Sequence, residues 1–411
     1  MMLKYIFKRH LKKRLVLIIL SLGTISTMFW ILFEVLSLST SDKAEPDIFL
    51  RKEKLDFANI PKIPQTNIAR QKFNVHQNLS VGRPQTTIDI WSTVGLGDYT
   101  WEHILGGDSM HVTDEPAKLI HGDILFKYHG EDNSFDDVSL DSAYVLLVLN
   151  GRAEERLPYT RMWLEKLTSL THLRAAFLML IGNEECNNEW LLQYLKNNGG
   201  LLQKVFITYD TPIVDNRQIL QWPLGSATYR GFPLEDQSML LSADSRQYRC
   251  NFLGTTYPGS SREYLVRIIE TSHLKDYCYV KTRQLWEAEE TKESMEEYIQ
   301  ILQQSDLTLS PIGKNIECYR IYEAAAMGSV PVIEDVRTSD RCSDRTLRVL
   351  KDRNAPFIYV KDWSELPEII RKEMKLTPEM IIERRKNLIE WYRRFKEDLR
   401  QLFFNELEKS L

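Results

Sequence analysis

From residue 86 onward, short continuous apolar runs alternate with stretches of helical period, and that alternation leaves few folds open. Runs at 88–91, 144–149, 175–181, 204–209, 248–253, 277–281, 307–309, 330–333 and 356–360 read as strands buried on both faces. Between them, 157–170, 189–197, 262–272, 292–304, 319–327 and 365–375 carry apolar residues at helical spacing. Strand alternating with helix predicts an α/β fold with doubly wound parallel sheets. Nine strands are too many for one comfortable sheet. The stretch "QWPLGSATYRGFPLEDQ", Gln221 to Gln237, interrupts them with Pro223, Gly225, Gly231 and Pro233. It reads as the connection between two Rossmann-like lobes, 86–236 and 237–376, with a cleft between them. The final segment, 377–411, reads as one or two amphipathic helices that pack back across the lobes.

Ahead of the lobes the pattern is different. The first fourteen residues hold Lys4, Lys8, Arg9, Lys12, Lys13 and Arg14 and no acid. "LVLIILSLGTISTMFWILF", Leu15 to Phe33, follows with no charge in nineteen residues. About 20 apolar residues span a bilayer core as a helix. A cleaved signal would be shorter and would end in small residues, whereas this run ends in Phe29-Trp30-Ile31-Leu32-Phe33. The expectation is a retained signal-anchor over 15–36 behind a cytoplasmic tail, 1–14. Positive charge before the span makes it type II, with the rest of the chain lumenal. Residues 37–85 are polar and contain Pro61, Pro64 and Pro84, as a stem would, and Asn78-Leu79-Ser80 there is a glycan acceptor sequence. Five cysteines permit up to two disulfides and one free thiol in an oxidising compartment; sequence does not pair them. A net charge of −4 gives no support to nucleic-acid binding.

The chemistry concentrates in "SDLTLSPIGKNIECYRIYEAAAMGSVPVIED", Ser305 to Asp335. A strand meets Pro311 and Gly313, then a helix begins. Such a loop offers backbone N–H groups and a favourable dipole to a phosphate. Arg320 is suited to a diphosphate oxygen and Glu323, one turn along, to a ribose diol. The alternative is a surface ion pair within one helix. Other signatures fail. The Gly254 to Ser261 loop lacks the P-loop lysine, and Gly95-Leu96-Gly97 lacks a third glycine. No H-E-x-x-H, G-x-S-x-G or D-x-D occurs. Without D-x-D, protein groups rather than a metal would neutralise a diphosphate. A divalent-ion requirement is left open.

The run "SPIGKNIECYRIYEAAAMGSVPVIEDV" resembles the donor motif of exostosin-like glycosyltransferases of the GT-B fold: a proline-glycine loop, an arginine, then E-A-x-x-x-G-x-x-P-V. Together with "WEHI" from Trp101, "VLNGR" from Val148, "GNEECNNEW" from Gly182, "QWPLGSATYR" and "CNFLGTTY", it is similar to the ribitol-5-phosphate xylosyltransferase family. The likeness runs from about residue 86 to the C terminus. It implies transfer of xylose from UDP-xylose, with no bound cofactor, to ribitol 5-phosphate on the O-mannosyl glycan of α-dystroglycan. It also implies a Golgi membrane protein working beside other transferases of that route. The donor would be held by Pro311, Gly313, Arg320 and Glu323, with Gly254 and Arg262 opening the donor lobe and Lys281 a weaker diphosphate contact. Inversion at the sugar needs a general base from the first lobe. Glu102 is the preferred residue, since Tyr99 and Trp101 flank it and would desolvate it. Asp98, His103, Glu184, Glu185 and Asp210 are the alternatives. Arg152 and Arg230 are candidates for the acceptor phosphate. Competing readings are a related transferase with another UDP-sugar or acceptor, and a non-catalytic glycan-binding scaffold.

Overall fold

Seven strands build the first sheet: β1 (Thr86–Ser92), β2 (Ala117–His121), β3 (Ile124–His129), β4 (Tyr144–Asn150), β5 (Ala175–Ile181), β6 (Leu202–Ile207) and β7 (Ile219–Gln221). Their order is β2-β3-β1-β4-β5-β6-β7, parallel throughout except for β2 against β3. The second sheet is wholly parallel. It contains β8 (Tyr248–Thr255), β9 (Cys278–Arg283), β10 (Ser305–Ser310), β11 (Val330–Glu334) and β12 (Ile358–Val360), in the order β12-β11-β10-β8-β9. This computed structural model describes residues 86–108, 115–130, 137–139, 141–234, 246–285 and 291–411. The expected tail, anchor and stem, with Asn78, lie outside those residues. No described helix is long and apolar enough to cross a membrane.

Sequence dictates both sheets in the same way. Every residue of β5, "AAFLMLI", is buried, as a central parallel strand covered on both faces must be. The helices are α1 (Leu157–Lys166), α2 (Ser261–Thr271), α3 (Lys292–Gln303), α4 (Tyr319–Ala326), α5 (Arg348–Lys351), α6 (Leu366–Glu373) and α7 (Pro378–Glu408). Ser260, Thr291 and Thr377 cap α2, α3 and α7 with side-chain oxygens on backbone N–H groups of the first turn. Residues 189–197, expected as a helix, fall in two 3-10 pieces, Glu189–Tyr194 and Lys196–Asn198. Leu96–Asp98 runs into a π-helical turn, Tyr99–Leu105, with no counterpart in the sequence reading.

Three devices stand out among those that join the two sheets. Cys186, after β5, is disulfide-bonded to Cys342, in the loop between β11 and α5, across 156 residues of sequence. Cys250 and Cys278 form the other disulfide, between register partners of β8 and β9, and Cys318 is the free thiol. Buried carboxylates of the second sheet's loops and helices also hold backbone of the first. Glu317 accepts the N–H groups of Tyr209 and Leu224, and Glu323 accepts that of Ala227. The third device is α7, a single 31-residue helix. Near its middle, Trp391 donates its indole N–H to Arg353 O at 2.7 Å and Phe395 stacks with Tyr322. Near its end, Phe403 and Phe404 enter the first core beside Phe126, Phe206 and Trp222, and Glu406 pairs with Lys204 at 2.6 Å.

Glu317 makes this junction pH-sensitive. Burial pushes its carboxyl up to about 7, against the lowering effect of the Tyr322 hydroxyl and the two N–H donors, with Asp210 pushing it further up. The folded state therefore holds this proton more tightly than the unfolded chain. Its stabilising contribution is complete below the ordinary value of 4.5 and is lost as pH rises through about 7. The melting temperature should fall across that window. Glu317→Gln should start lower, because its amide meets an N–H donor, but should show a flatter fall. Equal slopes for the two proteins in a melting series from pH 4.5 to 7.5 would refute this account.

Candidate active site

In the second sheet, the chain passes from β8 outward to β9, then returns to the other side of β8 as β10. Ligands in open α/β sheets bind at such a reversal, outside the carboxyl ends of the strands. A cavity of about 270 Å³ opens there. Its walls include Leu253, Gly254 and Thr255 from the end of β8, and Lys281, Thr282 and Arg283 from the end of β9. They also include Tyr298 of α3 and Cys318, Tyr319, Arg320 and Glu323 around the start of α4. Ala227 and Arg230, from the segment after β7, close it on the side of the first sheet.

The arginines define its chemistry. Arg320 donates through Nη2 to Leu253 O at 2.8 Å and lies 5.1 Å over the Phe252 ring. Arg262 donates through Nη1 to Thr255 O at 2.9 Å. Both buried Nε atoms lack a hydrogen-bond partner. Burial holds the Arg262 guanidinium below its usual range, and the neighbouring Arg320 charge lowers it further. Two like charges thus face one cavity with donors to spare, an arrangement an anion relieves. Gly254 permits it: a Cβ there would come within 2.7 Å of Arg320 Nη2. Lys281 is already paired at the cavity with Glu297, at 2.5 Å. Among the described residues, no group of three or more His, Cys, Asp or Glu is arranged to hold a metal ion.

Glu323 is 5 % exposed. Its Oε1 accepts the Ala227 N–H at 3.1 Å and its Oε2 the Tyr298 hydroxyl at 2.6 Å. Burial raises its pKa, against the lowering effect of Tyr298, the Ala227 N–H, Arg320 and Arg230. A carboxylate has about four acceptor positions, so two remain. The alternative reading, an Arg320–Glu323 surface pair within one helix, is not what forms: each side chain has its own partners.

Of the other expected site residues, Pro311 and Gly313 are not on the cavity wall. They shape the loop after β10, where Ile312 N–H is held by Glu334 at 3.0 Å. The absence of a Cβ on Gly313 leaves room for Arg262, since one would lie 2.8 Å from its Nη2. Arg230 lines the cavity. Arg152 stands beside it, 5.9 Å over the ring of Tyr319, bonded to the Tyr209 hydroxyl at 2.9 Å and paired with Glu184 at 3.4 Å.

Asp98, Glu102 and His103 do not reach the wall. The aromatics expected to desolvate Glu102 spend their rings elsewhere. Trp101 stacks on Tyr128, and Tyr99 packs against Gly225. Asp98 accepts the Tyr128 hydroxyl at 2.7 Å, and His103 is buried beside Tyr99. Asp210 is committed to Arg348 at 2.9 Å, and burial pushes its carboxyl up to about 6 despite that partner. Sequence reading missed Arg283 and Tyr298. Arg283 was within reach, two residues beyond Lys281 on the same strand face. Tyr298 was not, because its partner lies 25 residues away in sequence.

Family descriptions match both halves of the chain. The "RXYLT1 N-terminal domain" family description matches residues 88–223 and the "RXYLT1 C-terminal domain" description matches 229–411. Ribitol-5-phosphate xylosyltransferase 1 of Danio rerio is 41% identical over 355 residues, covering 83% of this chain and 82% of that protein. The Homo sapiens protein of the same name is 41% identical over 343 residues, covering 80% and 77%. Among solved structures, trehalose-6-phosphate synthase OtsA superposes with a TM-score of 0.41 at 10% identity, over 78% of this chain and 99% of that one. With both halves matched and two-fifths of residues shared over four-fifths of its length, the chain belongs to the ribitol-5-phosphate xylosyltransferase 1 family.

Proposed function

We propose that this chain transfers xylose from UDP-xylose to ribitol 5-phosphate, inverting the anomeric carbon, on the O-mannosyl glycan of α-dystroglycan. The observation that carries the donor site is the pair of guanidinium groups, Arg262 and Arg320, with unpartnered Nε atoms at one cavity. A nucleoside diphosphate is the anion that suits it. Its diphosphate would lie against Arg320, Arg262 and Arg283, and its ribose diol would use the remaining acceptor positions of Glu323. The acceptor phosphate would meet Arg230 on the wall nearest the first sheet and Arg152 beside that wall. As the sugar–phosphate bond breaks, negative charge grows on UDP, and fixed guanidinium donors in a partly dry site stabilise that charge more than they stabilise the bound donor. The basic flank and apolar run at the start of the sequence support a type II Golgi protein with its catalytic part in the lumen.

The direct test is to incubate the purified protein with a panel of UDP-sugars and a ribitol-phosphate acceptor. Xylose alone should transfer. Transfer of another sugar, or none, would sink this reading in favour of a related transferase or a binding scaffold. Glu323→Gln refines the test. A glutamine can accept the Ala227 N–H and donate to the Tyr298 oxygen, so the fold should survive. Losing a charge-assisted hydrogen bond costs about 1.5–3 kcal/mol, which is roughly 10–150-fold in affinity. Calorimetric titration should show that loss for UDP itself. An unchanged UDP affinity would place the ribose elsewhere.

A further inference from the structure

The donor cavity accounts for one half of the reaction, and a proton acceptor for the attacking hydroxyl is still required. The loops after β5, β6 and β7 of the first sheet meet the second lobe through Asn315 and Glu317, and an acceptor would lie outside the carboxyl ends of the first sheet's strands. Within four residues of the ends of β4 to β7, the carboxylates are Glu154, Glu184, Glu185 and Asp210. Glu154 and Glu185 are exposed. Asp210 is buried and tied to Arg348. Glu184 differs from all three. Its side chain is 21% exposed, so the carboxylate is reachable, and its one ion-pair contact, to Arg152 Nε, is long at 3.4 Å. Glu184 is not on the cavity wall itself, but Arg262, which is, lies near enough to respond to its charge.

The backbone around Glu184 is also held. Its N–H donates to Arg152 O at 3.1 Å, and its carbonyl accepts Asn315 Nδ2, from the loop leading into α4, at 2.8 Å. Two residues on, Cys186 takes a left-handed conformation, φ 64°, and is fixed by the disulfide to Cys342. A positive φ at a non-glycine residue persists only where surrounding structure enforces it. Glu184 is thus a reachable carboxylate on a rigid loop that touches both lobes, between Arg152 and Arg262. Those are the requirements for a positioned proton acceptor.

We infer that Glu184, not Glu102, is the general base. The inference rests on the transferase reading above. An acceptor hydroxyl oxygen attacks C1 of the xylose and forms the new C–O bond. The bond from C1 to the β-phosphate oxygen breaks, its electron pair leaving with UDP. The hydroxyl proton passes to the Glu184 carboxylate and from there to water.

Glu184→Gln is the test, because the substitution keeps the side chain's size and Arg152 stays held by its Nη2 hydrogen bond to the Tyr209 hydroxyl. A lost proton acceptor should lower kcat about 10²–10⁴-fold, abolish the acid limb of the kcat/KM profile, and leave UDP affinity and acceptor KM near those of the parent. Glu184→Asp keeps the acid one methylene shorter. It should transfer slowly and retain the acid limb, and it serves as the second probe should the glutamine variant fold poorly. A Glu184→Gln protein that keeps the parental rate and acid limb would overturn the assignment, as would one that loses UDP affinity in proportion to rate. Inactivity of the parent protein with UDP-xylose would instead refute the transferase reading, so the two failures are distinct.

Discussion

Arg320→Ala should slow xylosyl transfer by about 10²–10³, the usual cost of removing one fixed donor from a developing negative charge. The reasoning is local. Arg320 is braced by Leu253 O and the Phe252 ring, so its guanidinium is oriented before any ligand arrives. Its Nε has no partner within the protein, and Arg262 shares the cavity as a second cation. Removing Arg320 also removes the repulsion that lowers Arg262, which favours the folded protein, so the variant should melt no lower than the parent by more than a small margin. UDP affinity should fall too, but by less than the rate, since the charge on UDP is greatest when the bond breaks. Lysine at 320 should recover only part of the rate, because an ammonium group cannot reproduce a planar fork. Steady-state kinetics and calorimetry on the three proteins decide the matter. A parental rate for Arg320→Ala would mean that the cavity is not the donor site.

Phe403→Ala should be the most damaging single change to the fold. Phe403 is fully buried, with ring centroids of Phe206, Phe126 and Trp222 within 6.2 Å. It also borders a small apolar void lined by Ile90, Trp101 and Leu146. Truncation would merge that void with the space of the lost ring, and a wall of aromatics collapses poorly. Phe→Ala changes in such cores cost about 3–5 kcal/mol, against a typical total stability of about 5–15 kcal/mol. Denaturant unfolding should show the midpoint falling accordingly. A loss below about 1 kcal/mol, the size of an ordinary surface change, would show that the end of α7 contributes little to the first core.

How much of this was legible depended on whether an element announces itself locally. The β10–α4–β11 unit does: a buried run, a Pro-Gly loop, three alanines and Gly328 mark it within 30 residues, and Arg320 and Glu323 were found there. The β2–β3 hairpin does not. It sits at the sheet edge, its burial alternates, and no continuous apolar run forms. β7 has three residues and is defined by its neighbour β6 rather than by its own sequence. The site was legible where one segment supplies it and obscure where segments meet. Glu323 looked free for a ribose because its contacts to Ala227 and Tyr298 come from 96 and 25 residues away. Glu102 looked attractive because flanking aromatics were assumed to face it, and their rings turn into the core instead. Cys250 and Cys278 pair because β8 and β9 place them opposite each other, a register no spacing reveals.

The passage of α7 from one core to the other also sets an order of assembly. The helix follows every strand of both sheets in the chain, yet Phe403 and Phe404 complete the first core, whose strands emerge earliest. During synthesis the sheet of β1 to β7 must wait with Phe126, Phe206 and Trp222 uncovered until more than 150 further residues have been made. At about 5–20 residues per second that is an interval on the order of ten seconds or more. For that time the nascent chain presents an aromatic surface to whatever surrounds it. The two halves therefore mature together, and the same late event that seals the first core also fixes its position against the half built on the second sheet.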